Sequence, residues 1–443
     1  MNMNAQSDVT RQKPTKARYF ILALVCIATF INYLDRSNLA VAAPVMSKQL
    51  GLNPAMMGLI FSAFGWSYTV MQIPVSYFID SVGPRLLYGI GLIGWSIFTS
   101  LIGLANGFTS LIGCRLGLGV FEAPAFPTNS RVCTAWFPSH ERGLAIGAYT
   151  GAEYVGLAFC TPILTWLLIT WGWPAIFYTT GILGVLIGAA WLAWYRDPSQ
   201  HKGMNKAELE YIKEGGGLGD SIPVGKKIAW SEARHLFKSR QLWGMYIGQL
   251  ANTSTLFFFM TWFPSYLVEA KGMTMLKVGI YGAIPFIGAI AGVLIGGKWS
   301  DWMISRGCSL SMSRKLPTIT GLLLSVMIIG ANYTDNFNIV IAFMSVAFFG
   351  QGIASAVAWA LLSDIAPREL VGLTGGVFSF AANLGGTLSP MVIGFIVNAT
   401  HSFTSALVFA ASLALIGALS YIFVVGECKR VEIEDKGKPV LES

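Results

Sequence analysis

Apolar runs long enough to cross a bilayer follow one another along this chain, separated by short polar breaks. A helix rises ~1.5 Å per residue and the hydrocarbon core is ~30 Å thick, so each run of about twenty residues reads as one span. The pattern predicts twelve, near 19–44, 57–80, 85–106, 108–129, 143–169, 173–195, 241–268, 276–299, 316–333, 337–362, 371–397 and 402–426. The expected class is an all-α membrane protein. No cleavage-type site follows the polar start of the chain, so the first span reads as a permanent helix and not a signal peptide.

One long polar stretch, residues 197–240, separates six spans from six. The expected organisation is a tail over 1–18, a first six-helix half over 19–196, the linker 197–240, a second half over 241–427 and a tail over 428–443. Within the linker, Lys206-Ala207-Glu208-Leu209-Glu210 reads as a short helix that Gly215-Gly216-Gly217 ends. A weak internal repeat supports the division: Asp80 and Arg85 follow the second span, and Asp301 and Arg306 follow the eighth. In each, an acid at a helix end precedes an Arg by five residues, with a Gly nearby to turn the chain. Parallel halves of this kind mark a rocking transporter whose site lies between them at mid-membrane.

Composition and charge agree. Hydrophobic residues make up 54% of the 443, charged residues 12%, and mean hydropathy is +0.59. On one side of the predicted membrane the loops carry only Lys48, Lys271 and Lys277. Arg36 and Arg115 lie within spans, and the other basic residues fall on the opposite side. The positive-inside rule therefore puts both termini in the cytoplasm. The net charge of +8 expresses that bias and contact with anionic lipid, and its dispersal over separate loops argues against nucleic acid. The six cysteines lie in spans or cytoplasmic segments, which disfavours disulfides, and the four histidines show no metal-ligand spacing. Neither a metal nor a cofactor is expected.

Charges inside the spans carry the chemistry. Between Arg18 and Lys48, Asp35 and Arg36 are the only ionisable groups besides phenols and thiols. A charge at mid-membrane costs at least ~2.5–3.5 kcal/mol, so it persists where it faces a cavity or a partner. Glu122 and Glu153 are the only other carboxylates within spans, and Arg115 the only other comparably deep Arg. Counting residues from each span's start sets Asp35 level with Arg115, and Glu122 near Glu153. The expectation is an outer Asp35–Arg115 pair and a deeper group of Arg36, Glu122 and Glu153. The plainer reading of Arg115 is a lock between helices. One Arg cannot neutralise both deeper acids, so at least one of them reads as a proton carrier. A guanidinium fork suits an organic anion's carboxylate. Gly117 and Gly119 leave room for close packing of the fourth span, and Pro124 and Pro127 bend it just past Glu122.

Three segments resemble a known family: Tyr33-Leu-Asp35-Arg36-Ser-Asn38-Leu-Ala, Arg115-Leu-Gly117-Leu-Gly119-Val-Phe-Glu122-Ala-Pro124 and Trp136-Phe-Pro138-Ser-His-Glu141-Arg142. Together they resemble the anion:cation symporter branch of the major facilitator superfamily, closest to bacterial galactonate and glucarate/galactarate transporters. The likeness runs nearly end to end, through Lys206-Ala207-Glu208-Leu209-Glu210-Tyr211-Ile212 and Gly372-Leu-Thr-Gly375-Gly376. It implies proton-driven import of a sugar acid across a bacterial inner membrane, with Asp35 and Glu122 coupling protons and Arg36 holding the anion. By position Tyr33, Tyr68, Gln249, Trp359 and Asn383 complete the substrate site, although Tyr68 and Trp359 also suit ordinary aromatic packing. Two positions depart from the family pattern: Glu153 stands where close relatives usually have Gln, and Ser379 where they usually have Asn. An ionised Glu only accepts hydrogen bonds, whereas Gln also donates. Glu153 is therefore expected to be protonated when substrate binds, standing in for Gln or carrying an additional proton.

The partners expected are a small organic anion, protons and the lipid bilayer, with the protein a monomer. Aldonate, aldarate and hexuronate all fit. An organic-anion exchanger or a non-transporting anion sensor are the rival classes. An enzyme would need a nucleophile–base pair or metal site, and none is visible.

Overall fold

A computed structural model describes residues 13–219, 236–367 and 370–431, leaving aside the side chains of residues 73, 76, 77, 80, 371 and 372. The tails to residue 12 and from 432, and the linker between 220 and 235, lie outside the described residues. Among those described the regular structure is helical, without strands. In chain order the helices are α1 (Ala17–Gln49), α2 (Pro54–Val82), α3 (Pro84–Ile102), α4 (Phe108–Glu122), α5 (Ala125–Trp136), α6 (Ser139–Trp171), α7 (Trp173–Trp194) and α8 (Lys206–Glu214). Then come α9 (Arg240–Thr261), α10 (Met275–Tyr281), α11 (Ile284–Ser305), α12 (Leu310–Ser325), α13 (Phe337–Ile365), α14 (Val371–Thr400) and α15 (Phe403–Leu419). Among the described residues, nine helical stretches are long and apolar enough to cross a membrane.

Several helices stop where the sequence withdraws a hydrogen bond or a side chain. The 15-residue α4 ends on Glu122, and α5 resumes at Ala125 after Pro124, which has no N–H to continue the ladder. The bend expected past Glu122 is thus a break. Between α10 and α11, Gly282 interrupts an otherwise continuous apolar run. The turn after α2 passes through Gly83 at φ 84°, and the turn after α11 through Gly307 at φ 80°. Only glycine takes that conformation without strain, so the repeat seen in the sequence corresponds to a repeated turn.

The chain forms two compact units. The first comprises Met1–Gly225, Met260–Ala283 and Pro390–His401. The second comprises Lys226–Phe259, Ile284–Ser389 and Ser402–Ser443. In the first, α1 packs along α6, α3 along α7 and α2 along α4. Gly181 and Gly184 bring α7 against the Ser96 and Ser100 side chains, where a Cβ would collide. The two later segments complete this unit. Trp262 stacks edge-on to Phe61 at 5.4 Å and donates its indole N–H to the Pro390 carbonyl at 2.9 Å. Gly58 and Gly394 meet so closely that a Cβ on Gly58 would lie 2.8 Å from the Pro390 carbonyl and 3.0 Å from the Gly394 Cα.

In the second unit α13 runs against both α11 and α12. Buried Leu242, Tyr246, Leu361, Phe378 and Tyr421 form part of its core.

The linker helix α8 begins at Asn205, whose side chain caps the Glu208 N–H at 2.9 Å. Its Glu208 is wholly buried. That carboxylate accepts from the Thr15 hydroxyl, the Ala17 and Arg18 backbone N–H groups (3.1 and 3.3 Å) and Arg18 Nη1 (2.9 Å). Arg18 also donates to both oxygens of Glu141 on α6, and the Tyr211 hydroxyl donates to Glu141 at 2.8 Å. An acid from the linker therefore caps the first helix, whose N-terminal amides have no partner of their own.

Candidate functional site

In the first unit the structure brings Arg36 and Glu122 together. Arg36 Nε and Nη2 lie 2.7 and 2.6 Å from one oxygen, Glu122 Oε1, on the last residue of α4. Glu122 is fully buried, and its second oxygen, Oε2, makes no hydrogen bond of good geometry among the described residues. The guanidinium lies over three rings: Tyr33 at 4.9 Å, Phe64 at 5.1 Å and Tyr68 at 5.3 Å. Such rings hold a cation by their negative faces while leaving its N–H edges free for an anion. Phe64 escaped the sequence reading, although it sits one turn before Tyr68 on the same face of α2. It also faces Arg115, whose guanidinium carbon is 4.9 Å from its centroid.

Asp35 and Arg115 do not pair, contrary to expectation. Arg115 donates to the backbone carbonyls of Ile60 and Phe61, each at 3.3 Å, and so ties α4 to α2. Asp35 lies on another face of α1. Its Oδ1 accepts from Asn38 Nδ2 at 3.2 Å, and the same amide reaches Thr180 Oγ1 of α7 at 2.7 Å. Counting residues gave both groups their height. Successive helix positions differ by about 100° in direction, so the helix each one meets depended on packing that counting cannot supply.

Glu153 of α6 comes near the Tyr33 hydroxyl and within electrostatic reach of Arg36. The deeper group thus forms with Glu122 as the direct partner of Arg36 and Glu153 one residue removed, through Tyr33.

The second unit carries the other expected substrate residues. Gln249 of α9 is buried, with Nε2 3.5 Å from Thr253 Oγ1 and Oε1 without a partner among the described residues. Trp359 of α13 is 46% exposed and meets Phe378 edge-on at 4.9 Å. Ser379 and Asn383 are half-buried, one turn apart on α14.

The charged turns differ in their partners. The Asp80 side chain lies outside the described residues, and Arg85 donates twice to the Leu192 carbonyl at the end of α7. Asp301 pairs at 3.3 Å with Arg314 of α12, which also holds Asp364 at 2.8 Å. Arg306, in the turn just past α11, lies instead over Trp302 of that helix at 5.4 Å. Arg314 and Asp364 were not singled out from the sequence, because their relation to Asp301 exists only once α11, α12 and α13 pack.

The sequence profile of the Major Facilitator Superfamily matches residues 25–314. The chain belongs to that superfamily. A D-galactonate transporter of Escherichia coli is 47% identical over 433 residues, covering 96% of this chain and 99% of the relative. A probable galactarate/D-glucarate transporter, GarP, of the same species is 41% identical over 438 residues, covering 96% and 98%. Among solved structures, a bacterial homologue of the human lysosomal transporter Spinster, inward-facing and unoccupied, superposes with a TM-score of 0.71 at 20% identity. That likeness covers 93% of this chain and 96% of the other, and it speaks to the fold alone. The protein is thus a multi-pass membrane transporter and not an enzyme.

Proposed function

We propose that this protein is a proton-coupled symporter that imports a sugar acid, an aldonate or an aldarate, across a bacterial inner membrane by alternating access. The observation that carries the reading is the buried Arg36–Glu122 pair inside its cage of Tyr33, Phe64 and Tyr68. Breaking a buried ion pair leaves a costly unpaired charge, so Arg36 leaves Glu122 only when something compensates both groups. A proton on Glu122 and a carboxylate on Arg36 do so together, which couples the two cargoes. Asp35 is the second proton site in this reading. Glu153, set against Tyr33, is protonated when substrate is bound, and Gln249, Trp359, Ser379 and Asn383 contact the sugar hydroxyls.

The same reading keeps twelve spans with both termini in the cytoplasm, six on each side of the 197–240 linker, in a monomer. The identity shared with the D-galactonate and galactarate/D-glucarate transporters supports the substrate class. Uptake of labelled galactonate, glucarate and glucuronate into proteoliposomes tests it, each with and without an inward proton gradient. Accumulation of galactonate or glucarate that requires the gradient is the expected result. Accumulation without it refutes coupling, and accumulation of glucuronate alone makes the protein a hexuronate carrier.

A further inference from the structure

A cavity of about 190 Å³ opens at one end of the first unit, where the close of α1 and the start of α2 meet the segment that follows α9. All of its lining residues belong to that unit. In the proposed topology this end faces the periplasm, the side whose loops carry only Lys48, Lys271 and Lys277.

Floor and rim differ in chemistry. Leu52 and Trp262 are buried and make the floor apolar. Trp262 is fixed from two directions, edge-on to Phe61 and bonded through its indole N–H to Pro390, so its ring is a rigid platform. A platform of this kind suits the C–H face of a polyol. The charged lining residues are Lys48 and Glu269, both exposed at the rim. They lie within electrostatic reach of one another, yet form no ion pair among the described residues. Glu269 belongs to a π-helical turn, Tyr266–Ala270, closed by the Lys271 N–H on the Tyr266 carbonyl at 3.3 Å. Such wide turns recur at functional sites. The Ser47 and Ser265 hydroxyls line the same cavity and make no hydrogen bond among the described residues.

We propose that this cavity is an outer subsite that takes the sugar acid as it arrives from the periplasm, and that it favours one carboxylate, as in an aldonate, over the two of an aldarate. Lys48 receives the carboxylate and Trp262 underlies the carbon chain. Glu269 accepts from a sugar hydroxyl, while Ser47 and Ser265 can donate or accept. An aldarate that gives one carboxylate to Lys48 brings its second toward Glu269, where like charges repel. One Lys and one Glu thus count the carboxylates of the ligand. The subsite rests on the sugar-acid reading above and narrows it to the aldonate.

Ser47→Cys in the full-length protein reports occupancy, using right-side-out membrane vesicles and a membrane-impermeant maleimide. The parent protein, with its six native cysteines, sets the background. Saturating galactonate should slow labelling about tenfold, and glucarate at the same concentration should leave it within about twofold. Protection should persist when Arg36→Gln and Glu122→Gln together remove the deeper anion site without leaving either charge unpaired. Lys48→Gln should raise the galactonate concentration for half protection about threefold to fivefold, the worth of one exposed ion pair. Glu269→Gln should let glucarate protect as galactonate does, a gain that a misfolded variant cannot mimic. The proposal fails if no sugar acid protects, if glucarate already protects as well as galactonate, or if protection vanishes with the deeper pair. Failure of the external maleimide to reach Ser47→Cys overturns it equally, because this end then faces the other side. If the wild-type protein accumulates no sugar acid under a proton gradient, the symport reading falls while the labelling still decides the subsite.

Discussion

Replacing Glu208 tests how the first helix is held. The carboxylate is fully buried and receives the Thr15 hydroxyl, two backbone amides of α1 and an Arg18 N–H, while Arg18 is only 8% exposed. Glu208→Ala leaves Arg18 and the helix amides without that acceptor. Removing one partner of a buried ion pair costs about 3–5 kcal/mol. Glu141 still holds Arg18 through two contacts, at 2.9 and 3.2 Å, so the lower end of that range applies. Glu208→Gln keeps one accepting oxygen and should cost about 1–2 kcal/mol. The assay is dodecyl sulfate-driven unfolding in mixed micelles, with Arg18→Met and the double variant completing a cycle. The expected coupling is about 1–3 kcal/mol. A loss below about 1 kcal/mol for Glu208→Ala, or additive effects in the cycle, would refute the argument that the linker acid caps and neutralises the start of α1.

Gly58→Ala drives a Cβ into the Pro390 carbonyl and should lower stability by about 1–3 kcal/mol, read as a fall in melting temperature. Arg314→Ala leaves Asp301 and Asp364 facing one another without their cation; it should be more harmful than Arg306→Ala, whose side chain only lies over Trp302, in uptake and melting temperature alike. Burial lowers the pKa of His201, with Glu208 partly opposing, so the folded state binds fewer protons there than the unfolded chain. Its contribution is complete above the ordinary histidine pKa of ~6.5 and is lost as pH falls toward the depressed value. In His201→Gln the drop in melting temperature between pH 7 and pH 5 should shrink. Glu153→Gln should retain substrate binding at low pH, measured by calorimetry; loss of binding there would show that the carboxyl is not standing in for an amide.

Much of the site was legible because membrane burial makes each charge informative. Pro124 announced a bend after Glu122, which the structure makes a break, and the shortage of other deep cations directed Arg36 to the acids beside it. Asp35 was misdirected to Arg115, since depth along a helix follows from counting but the neighbour it faces does not. Phe64 was hidden among apolar residues that all looked like lipid or core contacts. Glu208 was hidden for the opposite reason: an acid in a polar linker helix reads as solvated, and its partners lie 190 residues away. Arg314 and Asp364 likewise acquired meaning only through packing.

The first unit has a consequence for how the protein is made. Gly58 packs against Pro390 and Gly394, and Trp262 bonds to Pro390, so part of that unit is supplied by segments synthesised long after α2. At ~5–20 residues per second, more than 300 residues take roughly 15–65 s to follow Gly58 out of the ribosome. During that interval the glycine face of α2 has lipid or the insertion machinery for company. Biogenesis therefore includes a late closing step, and a chain terminated before Pro390 would leave the N-terminal helices inserted but unsealed, a natural target for membrane quality control.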